Sequence, residues 1–211
     1  MTLFLDSALA DDARRAGALG FVSGITTNPT LMAKANRLAE DVLGELCAIL
    51  PGTVFYQLTA PTVAEREAEA HRMANLIPNR VGLKIPCTTE NLALAARLVK
   101  AGYTVGITAI FSAAQVYLAA NAGAHYVLPY VNRSTRLLGD GLALVRQMRA
   151  VIDATHAPLE ILAASVKTPV EAVDTVLAGA HHLTLPLSVI EAMGQHPLSD
   201  DTITEFARAT A

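Results

Sequence analysis

A chain of 211 residues, 52% of them apolar and 17% charged, can bury one domain-sized core and is not a disordered acidic or basic segment. The formal net charge of −3, with no cluster of lysine and arginine, excludes a nucleic-acid footprint, and no apolar stretch reaches the roughly 20 residues of a membrane span. Two cysteines, Cys47 and Cys87, exclude a disulfide framework; neither has CxxC or Cys/His metal spacing. The opening MTLFLDSALADDARR lacks the basic start and long apolar run of a signal peptide, so a cytoplasmic address is expected.

In chain order, a β-like run at 3–6 ends on Asp6, and a second at 22–26 ends on Thr26 and leads into Thr27 and Asn28. A third at 54–58 carries Gln57 and precedes a helical pattern at 63–75. The fourth, at 81–85, is apolar except for Lys84; the helix expected at 91–101 places Leu92, Ala95, Ala96 and Val99 on one stripe. The fifth strand, 104–108, ends on Thr108 before a helix at 112–120. The sixth, 126–130, holds Leu128 and Tyr130, with Asn132 and Arg133 just beyond and a helix at 141–155. The seventh, 159–164, leads to Ser165, Lys167 and a helix at 169–177, and the eighth spans 182–185. Eight strands alternating with helices predict a parallel sheet with crossover connections. No GxGxxG or GxxxxGK[ST] turn follows the first strand, which favours a single (β/α)8 TIM barrel over 1–211, closed by a short C-terminal helix, above an open doubly wound sheet.

Reactive residues of such a barrel sit at the C-terminal ends of strands. Asp6, Thr26, Gln57, Lys84, Thr108, Tyr130, Arg133, Ser165 and Lys167 all fall there. Lys84 is one of only four lysines, and it lies in VGLKIP. An ammonium in an apolar strand either loses its proton or finds a carboxylate. The first outcome makes a nucleophilic amine able to form an imine with a ketone; the second makes an ion pair, with Asp6 the candidate partner. Alternation along the strands puts Gly82 on the face of Lys84, Gly106 on that of Thr108, Phe55 on that of Gln57 and Leu128 on that of Tyr130. Asp6 and Asn28 could otherwise be helix caps, and Arg133 a solvated charge. None of the six histidines has ligand spacing with an acidic partner, so no metal site is expected.

The segments GITTNPTL (24–31), LKIPCT (83–88), ITAIFSAAQ (107–115), YVLPYVNR (126–133) and ILAASVKTP (161–169) resemble the transaldolase family, and most of all its short members, the fructose-6-phosphate aldolases. The similarity runs from LFLD at 3–6 to LTLPLSVI at 183–190. It implies a barrel fold and Lys84 as a Schiff-base lysine. Asp6 is then a proton-transfer group, Thr108 and Tyr130 hold the catalytic water, and Asn28 binds substrate hydroxyls. Arg133, Ser165 and Lys167 match the family's phosphate-binding positions.

Gln57 and Tyr130 match the aldolase branch, where transaldolases carry glutamate and commonly phenylalanine. The implied reaction is reversible, metal-independent and cofactor-free cleavage of fructose 6-phosphate, or a related sugar phosphate, to dihydroxyacetone and glyceraldehyde 3-phosphate. The alternative is transaldolase, which moves the dihydroxyacetone unit between sugar phosphates. Leu128, larger than the residue of the aldolase pattern, is expected to face the same cavity as Tyr130 and to narrow it. A homo-oligomer is implied, with pentamers or decamers the family's form, although the last helix is shorter here. A binding protein that kept Arg133 and Ser165 for sugar phosphates but did no chemistry would have no need of both Lys84 and Asp6.

Overall fold

The computed structural model describes residues 1–209; the last two positions of the expected domain lie outside them. The elements follow in the order β1 (Thr2–Asp6), α1 (Ala10–Ala18), β2 (Val22–Thr26), α2 (Pro29–Ala35), α3 (Ala39–Ile49), β3 (Val54–Gln57), α4 (Val63–Ala74), β4 (Val81–Pro86), α5 (Thr89–Lys100) and β5 (Val105–Ile110). Then come α6 (Ala113–Asn121), β6 (Tyr126–Pro129), α7 (Val131–Leu138), α8 (Gly141–Thr155), β7 (Glu160–Ala163), α9 (Pro169–Leu177), β8 (His182–Leu185), α10 (Leu187–Met193) and α11 (Pro197–Ala209). The eight strands are all parallel and close in sequence order, β1 pairing with β8. The fold is a (β/α)8 barrel, and the open sheet is excluded. No helix among the described residues is long and apolar enough to cross a membrane.

Alternation along the strands divides the apolar residues between two cores. Leu5, Ile25, Val54, Leu83, Ile107, Val127, Ile161 and Leu183 belong to the large shell packed under the helices. Phe4, Phe55, Leu128 and Leu162, with Tyr126 at the edge, form a separate small cluster inside the barrel. Glycine makes room for it: a Cβ on Gly82 would lie 2.6 Å from the Phe55 ring, and one on Gly106 would lie 2.8 Å from Leu128 Cδ1. Large inward side chains on some strands thus fill the space left by small ones on their neighbours, as close packing requires.

The longer helices with a side-chain cap were legible. Thr62 and Ser112 head capping boxes with Glu65 and Gln115, and Asp140 and Thr168 cap α8 and α9. Unanticipated were α1, α2, α3, α7 and α10. Of these, α1, α3, α7 and α10 lack a side-chain cap, and α2 and α10 are only seven residues long. The buried face of α5 is also rotated from the expected stripe: Leu94 and Leu98 are buried at its centre with Ala95, while Ala96 and Val99 are half-buried. The apolar run NLALAARLV fits either face, and packing on β4 and β5 selects one.

The N-terminal end of the barrel is closed by histidines. Nδ1 of His125, His181 and His182 accepts a backbone N–H from Val105, Ile161 and Thr2, at 3.3, 2.9 and 3.0 Å. His182 Nε2 also meets Glu160 at 2.9 Å.

Candidate active site

At the opposite end the strands open into a cleft of about 430 Å3, walled by Asp6, Asn28, Gln57, Tyr130, Arg133 and Lys167, with Lys84 lining its floor. A wider depression of about 770 Å3 lies by the histidine end, between His125, His156 and Glu160. It contains no buried amine and lies at the end where barrels hold no catalytic groups. The chemistry therefore belongs to the smaller cleft.

Lys84 is 2% exposed. Strand β4 aims it inward in register with Gln57 on β3 and Gly106 on β5, and Nζ donates to the Thr27 carbonyl at 2.7 Å. Burial pulls the amine down from its ordinary range to about 8, and the Asp6 carboxylate only partly offsets this. No ion pair joins Lys84 to Asp6, so the structural ion pair is not what β4 provides. Burial likewise raises Asp6, against the pull of Lys84, of a hydrogen bond from Thr26 and of Lys167. Desolvation outweighs mutual attraction in both groups, so each leans towards its neutral form.

Asp6 is not a helix cap: α1 has Leu9 at its N-cap, with no side-chain cap bond. Its Oδ1 accepts from Thr26 Oγ1 at 2.9 Å, and that hydroxyl also lies 2.7 Å from Thr184 Oγ1. Thr26 is fully buried and its hydroxyl is engaged, so it orients Asp6 and does not reach the cleft, contrary to the substrate-binding place expected for it. Thr184 was not anticipated, although its alternate position on HLTL could have revealed it. Asn28 combines two places: its Oδ1 caps α2 by accepting from Leu31 N at 3.0 Å, while the residue also lines the cleft.

Fully buried Thr108, behind the Tyr130 wall of the cleft, donates through Oγ1 to Tyr130 Oη at 3.0 Å. Thr108 is followed by Ala109, whose φ of 57° is left-handed, and the β5–β6 register slips between Thr108 and Ile110. This bulge bends β5 directly after the hydroxyl that meets Tyr130. Gln57 Oε1 is buried and has no hydrogen-bond partner.

Leu128 requires a correction. It shares the inward face with Tyr130 but is fully buried in the inner cluster beneath the cleft, its Cδ1 over Gly106. It is part of the floor's support and does not line the cavity. Alternation gave its face correctly but not its depth along the barrel axis.

The mouth is cationic. The Arg133 guanidinium carbon stands 4.9 Å from the Tyr130 ring centroid; Ser165, at a left-handed φ of 57°, and Lys167 follow β7. The three expected phosphate-site residues thus share one wall, and Lys34 of α2, assigned no role from sequence, joins the lining from the other side. Asn132 turns away, donating to Glu171 Oε1 at 3.2 Å. Among the described residues, no group of three or more histidines, cysteines or carboxylates could hold a metal ion.

A (β/α)8 barrel with one buried amine on β4, an adjacent carboxylate and a cationic mouth has the features of an enzyme of the aldolase and transaldolase kind. A family model described as Transaldolase/Fructose-6-phosphate aldolase matches residues 3–211, and the chain belongs to that family. It is 40% identical over 211 residues to a probable transaldolase of Brachyspira hyodysenteriae, covering 99% of this chain and 96% of that one. Probable transaldolase 1 of Listeria monocytogenes serotype 4b is 37% identical over 206 residues, covering 98% and 96%. Among solved structures, a mandelate oxidase variant superposes with a TM-score of 0.63 at 12% identity, over 88% of this chain and 65% of that one, a likeness of fold alone.

Proposed function

We propose that this protein breaks and remakes a carbon–carbon bond of a ketose phosphate through an imine on Lys84. The observation that carries the reading is the 2% exposed amine at the base of the cleft, held near a pKa of about 8. Its neutral form adds to the ketone carbonyl; the carbinolamine loses water to leave an iminium. As a base takes the proton of the neighbouring substrate hydroxyl, the carbon–carbon electron pair moves into the iminium, giving an enamine and a free aldehyde. Asp6, raised by burial, suits the shuttling of these protons. Arg133, Ser165 and Lys167 suit a phosphate at the mouth. The iminium formed on Lys84 is the electron sink, so this route calls for neither metal nor cofactor.

The three-carbon enamine then has two fates. Attack on an acceptor aldehyde is transaldolase chemistry, and the names of the curated relatives favour it over the release expected from the sequence. Protonation and hydrolysis release dihydroxyacetone; the specific observation on that side is the Tyr130 phenol held by Thr108 in the cleft, with Gln57 alongside.

Borohydride reduction with dihydroxyacetone should add a three-carbon mass to the peptide containing Lys84, and Lys84→Arg should abolish it because a guanidinium keeps its proton. Labelling elsewhere would sink the mechanism. Incubation with fructose 6-phosphate, with and without erythrose 4-phosphate, separates the fates. Sedoheptulose 7-phosphate without free dihydroxyacetone means transfer, and free dihydroxyacetone without an acceptor means release.

A further inference from the structure

Gln57 poses a positioning problem. Its buried Oε1 has no partner on the protein, so no side-chain contact to that oxygen fixes the amide in the cleft. Its place must come from the backbone at the end of β3. That strand is short, and its register with β2 covers only Ile25↔Val54 and Thr26↔Phe55, ending two residues before Gln57. On the other side Leu58 N donates to the Lys84 carbonyl at 2.9 Å. The following loop must be held by something else.

Glu69 of α4 holds it. Although it is a carboxylate, it is 5% exposed and accepts four hydrogen bonds. Its Oε1 takes Tyr56 Oη at 2.9 Å and Thr59 Oγ1 at 3.2 Å, and its Oε2 takes the Thr59 and Ala60 N–H groups at 2.9 and 3.0 Å. The donors flank Gln57 in sequence, one residue before it and two and three residues after. No cation pairs with Glu69 among the described residues' ion pairs. A buried carboxylate satisfied only by neutral donors is costly to desolvate and gives geometry in return. Burial, reinforced by Glu69, pushes the Tyr56 phenol up to about 12, so it remains a donor at any ordinary pH.

We infer that Glu69 is a positioning residue that sets the Gln57 amide in the cleft by clamping both sides of its backbone. The inference rests on the Schiff-base reading of the cleft. Glu69 touches no substrate; it acts through Gln57, on the steps after the imine has formed. Replacing it should therefore spare the reaction of Lys84 with dihydroxyacetone and slow the turnover that follows.

The test compares Glu69→Gln, Tyr56→Phe and Gln57→Ala, singly and in combination, with folding checked by circular dichroism. The amide of Glu69→Gln turns a donor towards the loop's donors, and should lower kcat on fructose 6-phosphate about tenfold with KM within about twofold. Borohydride trapping of dihydroxyacetone at Lys84 should stay near the wild-type level. In a Gln57→Ala background the same change should cost nothing further, because residues acting as one unit are non-additive. If Glu69→Gln does not fold, Tyr56→Phe, which removes one of the four donors, carries the comparison with an expected loss of about threefold. Unchanged kcat, additive losses, or a parallel loss of trapping would each overturn the role of Glu69. Wild-type protein that traps nothing at Lys84 would instead sink the functional reading, and this inference with it.

Discussion

At the scale of single residues, the cleft is governed by the cost of burying charge. Lys84 and Asp6 face one another without an ion pair, each displaced towards neutrality by desolvation. The amine gains nucleophilic fraction as pH rises through about 8, so kcat/KM should climb across that range if imine formation limits it. The Asp6 carboxylate favours the charged amine; making it neutral in Asp6→Asn removes that support. The midpoint should then move to lower pH even as proton transfer is lost and kcat falls. Reductive trapping with dihydroxyacetone across pH, which reads the amine directly, checks this. A midpoint that stays put or rises in Asp6→Asn would mean that Asp6 does not act on Lys84 through its charge. The sequence marked Lys84 as an amine in an apolar strand but left nucleophile and ion pair with Asp6 equally open; the structure buries it on β4 with no ion pair to Asp6. Leu128 was placed on the right face, but neither it nor Thr26, both expected at the cleft, lines it. A period of two separates inside from outside but does not say which layer of the barrel a residue occupies.

At the scale of elements, β5 carries a strain that serves its end. Ala109 has a φ of 57° at the register slip, immediately after the hydroxyl that meets Tyr130. A left-handed alanine costs roughly 1 kcal/mol, which glycine would avoid, against a loss of about 0.5 kcal/mol through the freer unfolded chain. Ala109→Gly should therefore raise Tm by about 1–2 °C in thermal denaturation. The strand end should become more mobile, and kcat should not improve. A fall in Tm would show that the bulge is not strained. No propensity or periodicity in VGITAI announces this conformation, because alanine gives no sign of it. Long helices headed by a cap were read, as at Thr62 and Ser112; uncapped ones such as α1 and α7 were missed, and so was α2, which Asn28 caps but which is only seven residues long. Strand order was legible because alternating strands and helices admit few closures, while strand ends drifted by a residue or two.

At the scale of the whole molecule, the two ends of the barrel answer to pH differently. At the closed end His181 accepts Ile161 N–H at Nδ1, and its Nε2 lies 3.2 Å from Arg149 Nη1. Burial, then the Arg149 charge, lowers its pKa below the ordinary value; Glu160 and Asp153 pull the other way, and His182 adds to the lowering. As pH falls through about 6.5 the unfolded chain takes up this proton before the folded one does. The contribution of His181 is therefore intact above that pH and is lost progressively below it. His181→Asn can still accept from Ile161 N through Oδ1 but cannot titrate. Its Tm should fall less between pH 7 and pH 5.5 than that of the wild type; equal slopes would clear His181 of the effect.

The inner floor also constrains how such a barrel can change over generations. Leu128 occupies the volume that a side chain at position 106 would need, so bulk at the two sites is one shared quantity on neighbouring strands. A lineage could move that bulk from β6 to β5 in either of two orders. Enlarging Gly106 first sets a new Cβ 2.8 Å from Leu128 Cδ1, so the leucine must turn aside within the packed inner cluster. Shrinking Leu128 first leaves a void, costing roughly 2–5 kcal/mol but compatible with the fold, and the later gain at 106 refills it. A change of packing by that second order passes through a hollow intermediate, open only to a barrel with stability to spare.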